Sequence, residues 1–119
     1  MDTLPKSERL KSMTAVSALM SKGRWGFAHG LKYCHFQNTP PEGPNRILVS
    51  VPKRLFKRAV KRNLLKRRMR EAYRLQKDLL APSGTDVMFV YNTQEILDLQ
   101  TIKEQVRSIL TKIGDERQQ

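Results

Sequence analysis

Twenty-six consecutive residues, Pro52 to Lys77, hold twelve cations and one acid, Glu71, and so carry +11 of the formal net charge of +12. The remaining 93 residues are nearly neutral. The segment reads as a helix that begins between 57 and 60, runs to about Leu80 and stops at Pro82-Ser83-Gly84. At 100° per residue, Leu65, Met69, Ala72, Tyr73, Leu79 and Leu80 gather on one side with Gln76 among them. Asn63, Lys66, Arg67, Arg70, Arg74 and Lys77 gather on the other. They form a ridge of about 20 Å at 1.5 Å per residue. Like charges at i,i+4 cost a few tenths of a kcal/mol per pair in an isolated helix. A mixed-sign run is ordinarily a solvated face. A uniform run of this density suits a row of phosphates, where each contact releases counterions. Arginine supplies three of the five ridge cations, which favours bidentate phosphate contacts.

The other elements are lighter. Residues 1–11 are polar and read as irregular, with 1–8 and 114–119 as disordered tails of a single domain, 1–119. Ser12 is placed to cap a helix over 13–22, and Gly23 to end it in a left-handed conformation. Residues 31–37 alternate as a strand. Asn38 to Asn45, with three prolines and a glycine, reads as a loop. Arg46 to Val51 is a second strand, ended by Pro52, and Asp86 to Tyr91 a third. Asp98 caps a last helix with Leu99, Ile102, Val106, Ile109, Leu110 and Ile113 on one stripe. The order α-β-β-α-β-α predicts an α+β protein, a small two-layer sandwich on a mixed sheet.

Several functions are disfavoured. No apolar run approaches the roughly 20 residues of a membrane helix, and no apolar signal-peptide core follows Met1. With one cysteine, Cys34, an internal disulfide is excluded. Cys34 and His35 point to opposite faces of a strand, and His29 has no carboxylate near it, so a protein-bound metal is not expected. Ser50 and Cys34 lack an adjacent base. Scattered acids argue against a two-metal nuclease. Trp25 and Phe27, among Gly23, Gly26 and Gly30, read as loop aromatics that either stack on RNA or pack on the sheet edge. No heptads follow the basic helix, as a leucine zipper would require, and a helix-turn-helix would have little sheet. Structured RNA together with a single strand fits better than DNA. A cytoplasmic nucleic-acid binder is the expectation.

Arg9-Leu10-Lys11 before a short helix, Val49 to Arg54 (VSVPKR) and Ala59 to Tyr73 (AVKRNLLKRRMREAY) resemble the protein component of bacterial ribonuclease P over about residues 4–113. The family pattern A-V-x-R-N-R-(apolar)-K-R-x-(apolar)-R-(E/Q)-A-(F/Y) is matched except at its second arginine, which is Leu64 here. Lys57-Arg58 replaces the usual Gly-Asn pair. The resemblance implies the fold of the second domain of a small-subunit ribosomal protein, with a left-handed βαβ crossover. It implies a ribonucleoprotein that removes the 5′ leader from precursor tRNA, with a catalytic RNA subunit that needs Mg²⁺ and one protein per RNA. The protein would contribute no catalytic residue and bind no cofactor of its own. RNA-subunit binding maps to Lys53, Arg54, Lys57, Arg58, Lys61, Arg62, Asn63, Lys66, Arg67, Arg70, Arg74 and Lys77. The leader cleft maps to Arg9, Lys11, Val16 and Met20, with Phe36 and Tyr33 offering rings where Val16 and Met20 have none. The alternative is a structural RNA-binding ribosomal or assembly protein of the same fold.

Overall fold

In the computed structural model, which describes residues 4–37 and 43–117, four strands form one mixed sheet in the order β1-β2-β4-β3. The strands are β1 (Arg24–Ala28), β2 (Leu31–Gln37), β3 (Arg46–Ser50) and β4 (Thr85–Tyr91), and the helices are α1 (Met13–Lys22), α2 (Ala59–Arg74) and α3 (Leu99–Arg117). β2 runs antiparallel to both neighbours, whereas β3 and β4 pair in parallel with α2 between them in sequence. The chain order is therefore the expected one with an added strand. β1 was hidden by its glycine, but it ends at His29-Gly30, a two-residue turn into β2 with His29 at a φ of 51°. Two alternating runs separated by two residues are a hairpin signal.

Strand alternation sorts the sheet into two faces. On one, Leu31, Tyr33, Ile47, Val49, Val87, Phe89 and Tyr91 meet Leu65, Met69, Ala72 and Tyr73 of α2. The α3 stripe from Ile102 to Ile113 completes this core as the sequence predicts, with Leu99 at its margin. On the other face α1 lays Leu19 over Cys34 and Met88, closed by Leu10.

Several local expectations change. Gly23 is extended (φ −74°, ψ 164°), not left-handed. Its requirement is space, since a Cβ there would stand 2.4 Å from the Leu19 carbonyl and 2.5 Å from Cys34 Sγ. The basic helix ends at Arg74 rather than near Leu80, and a 3-10 turn follows over Lys77–Leu79. Tertiary contacts redirect the chain there. The Gln76 amide donates to the Lys103 carbonyl (2.7 Å) and Lys77 Nζ meets Glu8 at 3.0 Å. The turn buries Leu80 and leaves Leu79 outside. Asn45, itself buried, donates to the carbonyls of Leu80 and Ala81 and accepts from the amides of Ser83 and Thr85.

The tails are shorter than expected: Leu4 is buried, Lys6–Glu8 form a 3-10 turn, and α3 continues to Arg117. Arg9 bridges Ile47 in parallel, so this segment lies along the outer edge of β3. Most of the loop expected over Asn38 to Asn45 lies outside the described residues.

Candidate nucleic-acid interface

The cations of the basic segment fall into two groups. One is spent on the fold. Arg62 turns back and donates from Nη1 to the carbonyls of Phe56 and Lys57, both at 2.8 Å. That clasp shapes the turn in which Lys53, Arg54, Lys57 and Arg58 stand exposed. Arg68 donates to the Leu97 carbonyl at 2.6 Å, which ties α2 to the segment before α3. Arg74 pairs with Glu71 three residues earlier, and Lys77 with Glu8. Hydrogen bonding from Arg74 holds the Glu71 carboxyl below its ordinary pKa. Arg74 and Lys77 are thus neutralised inside the molecule, so the expected five-cation ridge divides. Helical i,i+3 spacing brings Arg74 to Glu71, but no periodicity argument could reach the Lys77 pair, because Glu8 lies 69 residues from it.

The second group faces outward. Lys61, Asn63, Arg67 and Arg70 are exposed and Lys66 is half-buried, and none of the four cations has an acidic partner among the described residues. Arg70 lies beside Arg9. Burial first, and then the Arg9 guanidinium, lower the Arg70 pKa. Arg9, Lys11 and Arg70 line a pocket of about 210 Å³ over the β3 edge, floored by Ile47, Leu48 and Val49. Arg9 Nε is buried there without a hydrogen-bond partner among the described residues. Two adjacent guanidiniums, one with an unused buried donor, make a fork for an oxyanion such as phosphate. Arg9 and Lys11 therefore extend the α2 cations around the sheet edge.

The face under α1 is organised in three rows by strand register. Phe36, Asp86 and Arg46 form one, Trp25, Cys34, Met88 and Leu48 the next, and Phe27, Lys32, Val90 and Ser50 the third. α1 covers the middle row at Cys34 and Met88. The buried Cys34 thiol donates to the Leu19 carbonyl (3.2 Å), and burial pushes its pKa up to about 11.

A groove of about 360 Å³ opens on one flank of α1, between Ser12, Thr14, Ala15 and Ala18 and the row of Phe36. Its floor is a two-pronged ion pair, Arg46 Nε and Nη2 to the Asp86 carboxylate at 2.8 and 2.9 Å. Nothing in the sequence signals this pair except the cross-strand register of β3 and β4. Helical geometry turns Val16 and Met20 to the other flank, toward the third row. Val16 packs beside the Leu19 cluster and Met20 is exposed.

Tyr33 does not join the cleft. Three residues from Phe36 in one strand, it points to the opposite face, where it is buried and stacked near His35 at a ring separation of 6.2 Å. That His35 ring meets Glu116 of α3 at 2.9 Å.

A mixed sheet with a cation-rich helix on one side, a guanidinium pocket at its edge and a grooved second face defines an RNA-binding α+β protein. The comparisons make the class specific. The family model described as Ribonuclease P matches residues 4–114, and the chain belongs to the ribonuclease P protein family. A ribonuclease P protein component from Porphyromonas gingivalis is 32% identical over 93% of this chain and 86% of its own. One from Chlorobaculum tepidum is 42% identical over 66% of this chain and 54% of its own. The fold superposes on the Staphylococcus aureus RNase P protein with a TM-score of 0.76, at 21% identity over 91% of this chain and 96% of that one. It superposes on the protein from Thermotoga maritima at 0.74, with 22% identity over 88% and 96%. The chain is a protein subunit of ribonuclease P and partners an RNA subunit.

Proposed function

We propose that this subunit binds precursor tRNA as well as the RNA subunit, in a particle of one protein per RNA in the cytoplasm, and contributes no catalytic group. The observation that carries the reading is the continuity, from Lys66, Arg67 and Arg70 around to Arg9 and Lys11, of cations without an acidic partner among the described residues. Such a track holds phosphates of a folded RNA on α2 and leads a single strand to the face beneath α1. Hydrolysis would then belong to the RNA subunit, where bound Mg²⁺ would supply the activation of water.

The protein's carboxylates support this division, because five of them have structural partners. Glu71 pairs with Arg74, Glu8 with Lys77, Asp86 with Arg46 and Glu116 with His35. Asp98 accepts from the Thr101 amide at the start of α3. What the protein adds is neutralisation and positioning, both of which reduce the demand for Mg²⁺.

Reconstitution with the cognate RNA subunit tests this. The protein should restore leader cleavage at low Mg²⁺. At saturating protein and high Mg²⁺, single-turnover rates should change less than about tenfold for each Asp→Ala or Glu→Ala variant that folds, roughly 1.4 kcal/mol. A loss of several orders of magnitude from one carboxylate would place the chemistry in the protein. No stimulation of cleavage would leave only a structural RNA-binding role.

A further inference from the structure

The third row of the α1 face, on the Val16 and Met20 flank, is flanked by two rings that the packing leaves outside. Trp25 and Phe27 stand two residues apart on edge strand β1, so both leave the sheet on that face. They are 42% and 60% exposed. Large apolar side chains on an exposed edge are a liability unless something covers them. Lys32, opposite Phe27 in the ladder, holds its Nζ 4.6 Å from the Trp25 ring centre and 5.9 Å from that of Phe27. One ammonium therefore lies within cation–π reach of both rings. Residues i and i+2 of a strand are about 6.6 Å apart. A flat ring between two others needs two contact distances of about 3.5 Å each. The spacing along the strand is thus close to what one planar heterocycle between the two side chains needs.

We propose that Trp25 and Phe27 clamp one base of a single-stranded RNA, and that Lys32 leaves the gap to meet the adjoining phosphate. The occupant follows from charge and continuity. A strand laid along the row of Phe27, Lys32, Val90 and Ser50 runs from the clamp toward the exposed Lys53 and Arg54 beyond β3. Stacking between rings accepts any base, and the nearby cations supply the phosphate contacts. The inference deepens the leader-binding reading above and rests on it for the identity of the strand. It supplies the rings that Val16 and Met20 lack on the same flank.

Trp25 is the only tryptophan of the chain, so its emission reports the clamp directly. The full-length protein is titrated with end-labelled hexa-adenylate, and label polarisation and Trp25 emission are read together. Emission should be quenched saturably with the same midpoint as polarisation. Phe27→Ala should weaken binding about tenfold and blunt the quench, Phe27→Tyr should restore both, and a base-free polyphosphate should displace the oligonucleotide without quenching. Binding with unchanged Trp25 emission, or Phe27→Ala binding like wild type, overturns the clamp. A change of emission with protein concentration alone also overturns it, and marks the β1 edge as a contact between copies of the chain. Leader cleavage by the reconstituted particle is followed in parallel. An active particle with a silent Trp25 refutes the clamp alone, whereas an inactive one refutes the leader reading itself.

Discussion

Replacing Arg67 and Arg70 together by alanine should remove two phosphate contacts, and the salt dependence of RNA-subunit binding should show it. Both side chains are exposed and without acidic partners among the described residues. Each contact to a duplex phosphate contributes about 0.9 to the slope of log affinity against log salt, so the slope should fall by about 1.8. Raising monovalent salt fourfold, from about 50 to about 200 mM, should then weaken the double variant about tenfold less than it weakens wild type. At low salt each single change should cost about 1–3 kcal/mol, as for other charge-assisted contacts. Arg74→Ala and Lys77→Ala are the internal controls. Their cations already meet Glu71 and Glu8, so each should lower the slope by less than half as much. Filter binding of the RNA subunit over a salt series at fixed Mg²⁺ measures all five variants. Equal slopes for Arg67, Arg70, Arg74 and Lys77 variants would refute the division of the ridge into free and internally paired cations.

Phe36→Ala should weaken precursor tRNA binding by ~1–3 kcal/mol and leave mature tRNA binding unchanged, because its ring lies in the groove beside α1; equal losses would make Phe36 a packing residue only. Asn45→Ala should lower stability by about 3 kcal/mol in urea unfolding, since it strands the buried carbonyl of Leu80 and the buried amide of Thr85 and removes part-buried bonds to Ala81 and Ser83; a loss within error of zero would show that water replaces the amide. Burial raises Cys34 from 9.0 to about 11 and Tyr73 from 10.0 to about 12, so the folded state binds more protons above about pH 9. Stability present below that pH should therefore fall as the pH rises, and fall less steeply for Cys34→Ala, as read from urea midpoints at about pH 8.5 and 10.5; identical pH slopes would contradict the assignment.

The parts legible in the sequence are those in which one residue's environment follows from its near neighbours. The α3 stripe is such a case: residues at helical spacing share a face whatever they pack on, and Ile102, Val106, Ile109, Leu110 and Ile113 are all fully buried. The charge of the 52–77 segment and the apolar side of α2 were legible for the same reason, and so was the family, through a motif that occupies a dozen near-consecutive positions. Contacts between distant residues were not. That Lys77 is quenched by Glu8, that Arg9 joins Arg70 in one pocket, and that Trp25 and Phe27 stand with Lys32 on an open row all depend on how distant segments and strands pair. Register is set by the packing of the whole sheet, and a shift of one residue would turn every side chain of the shifted strand to the opposite face. The sequence alone determined that the chain carries a cationic helix built for a polyanion. Only the tertiary structure decided which of those cations remain free, because an ion pair forms where folding brings opposite charges together, however far apart they lie along the chain.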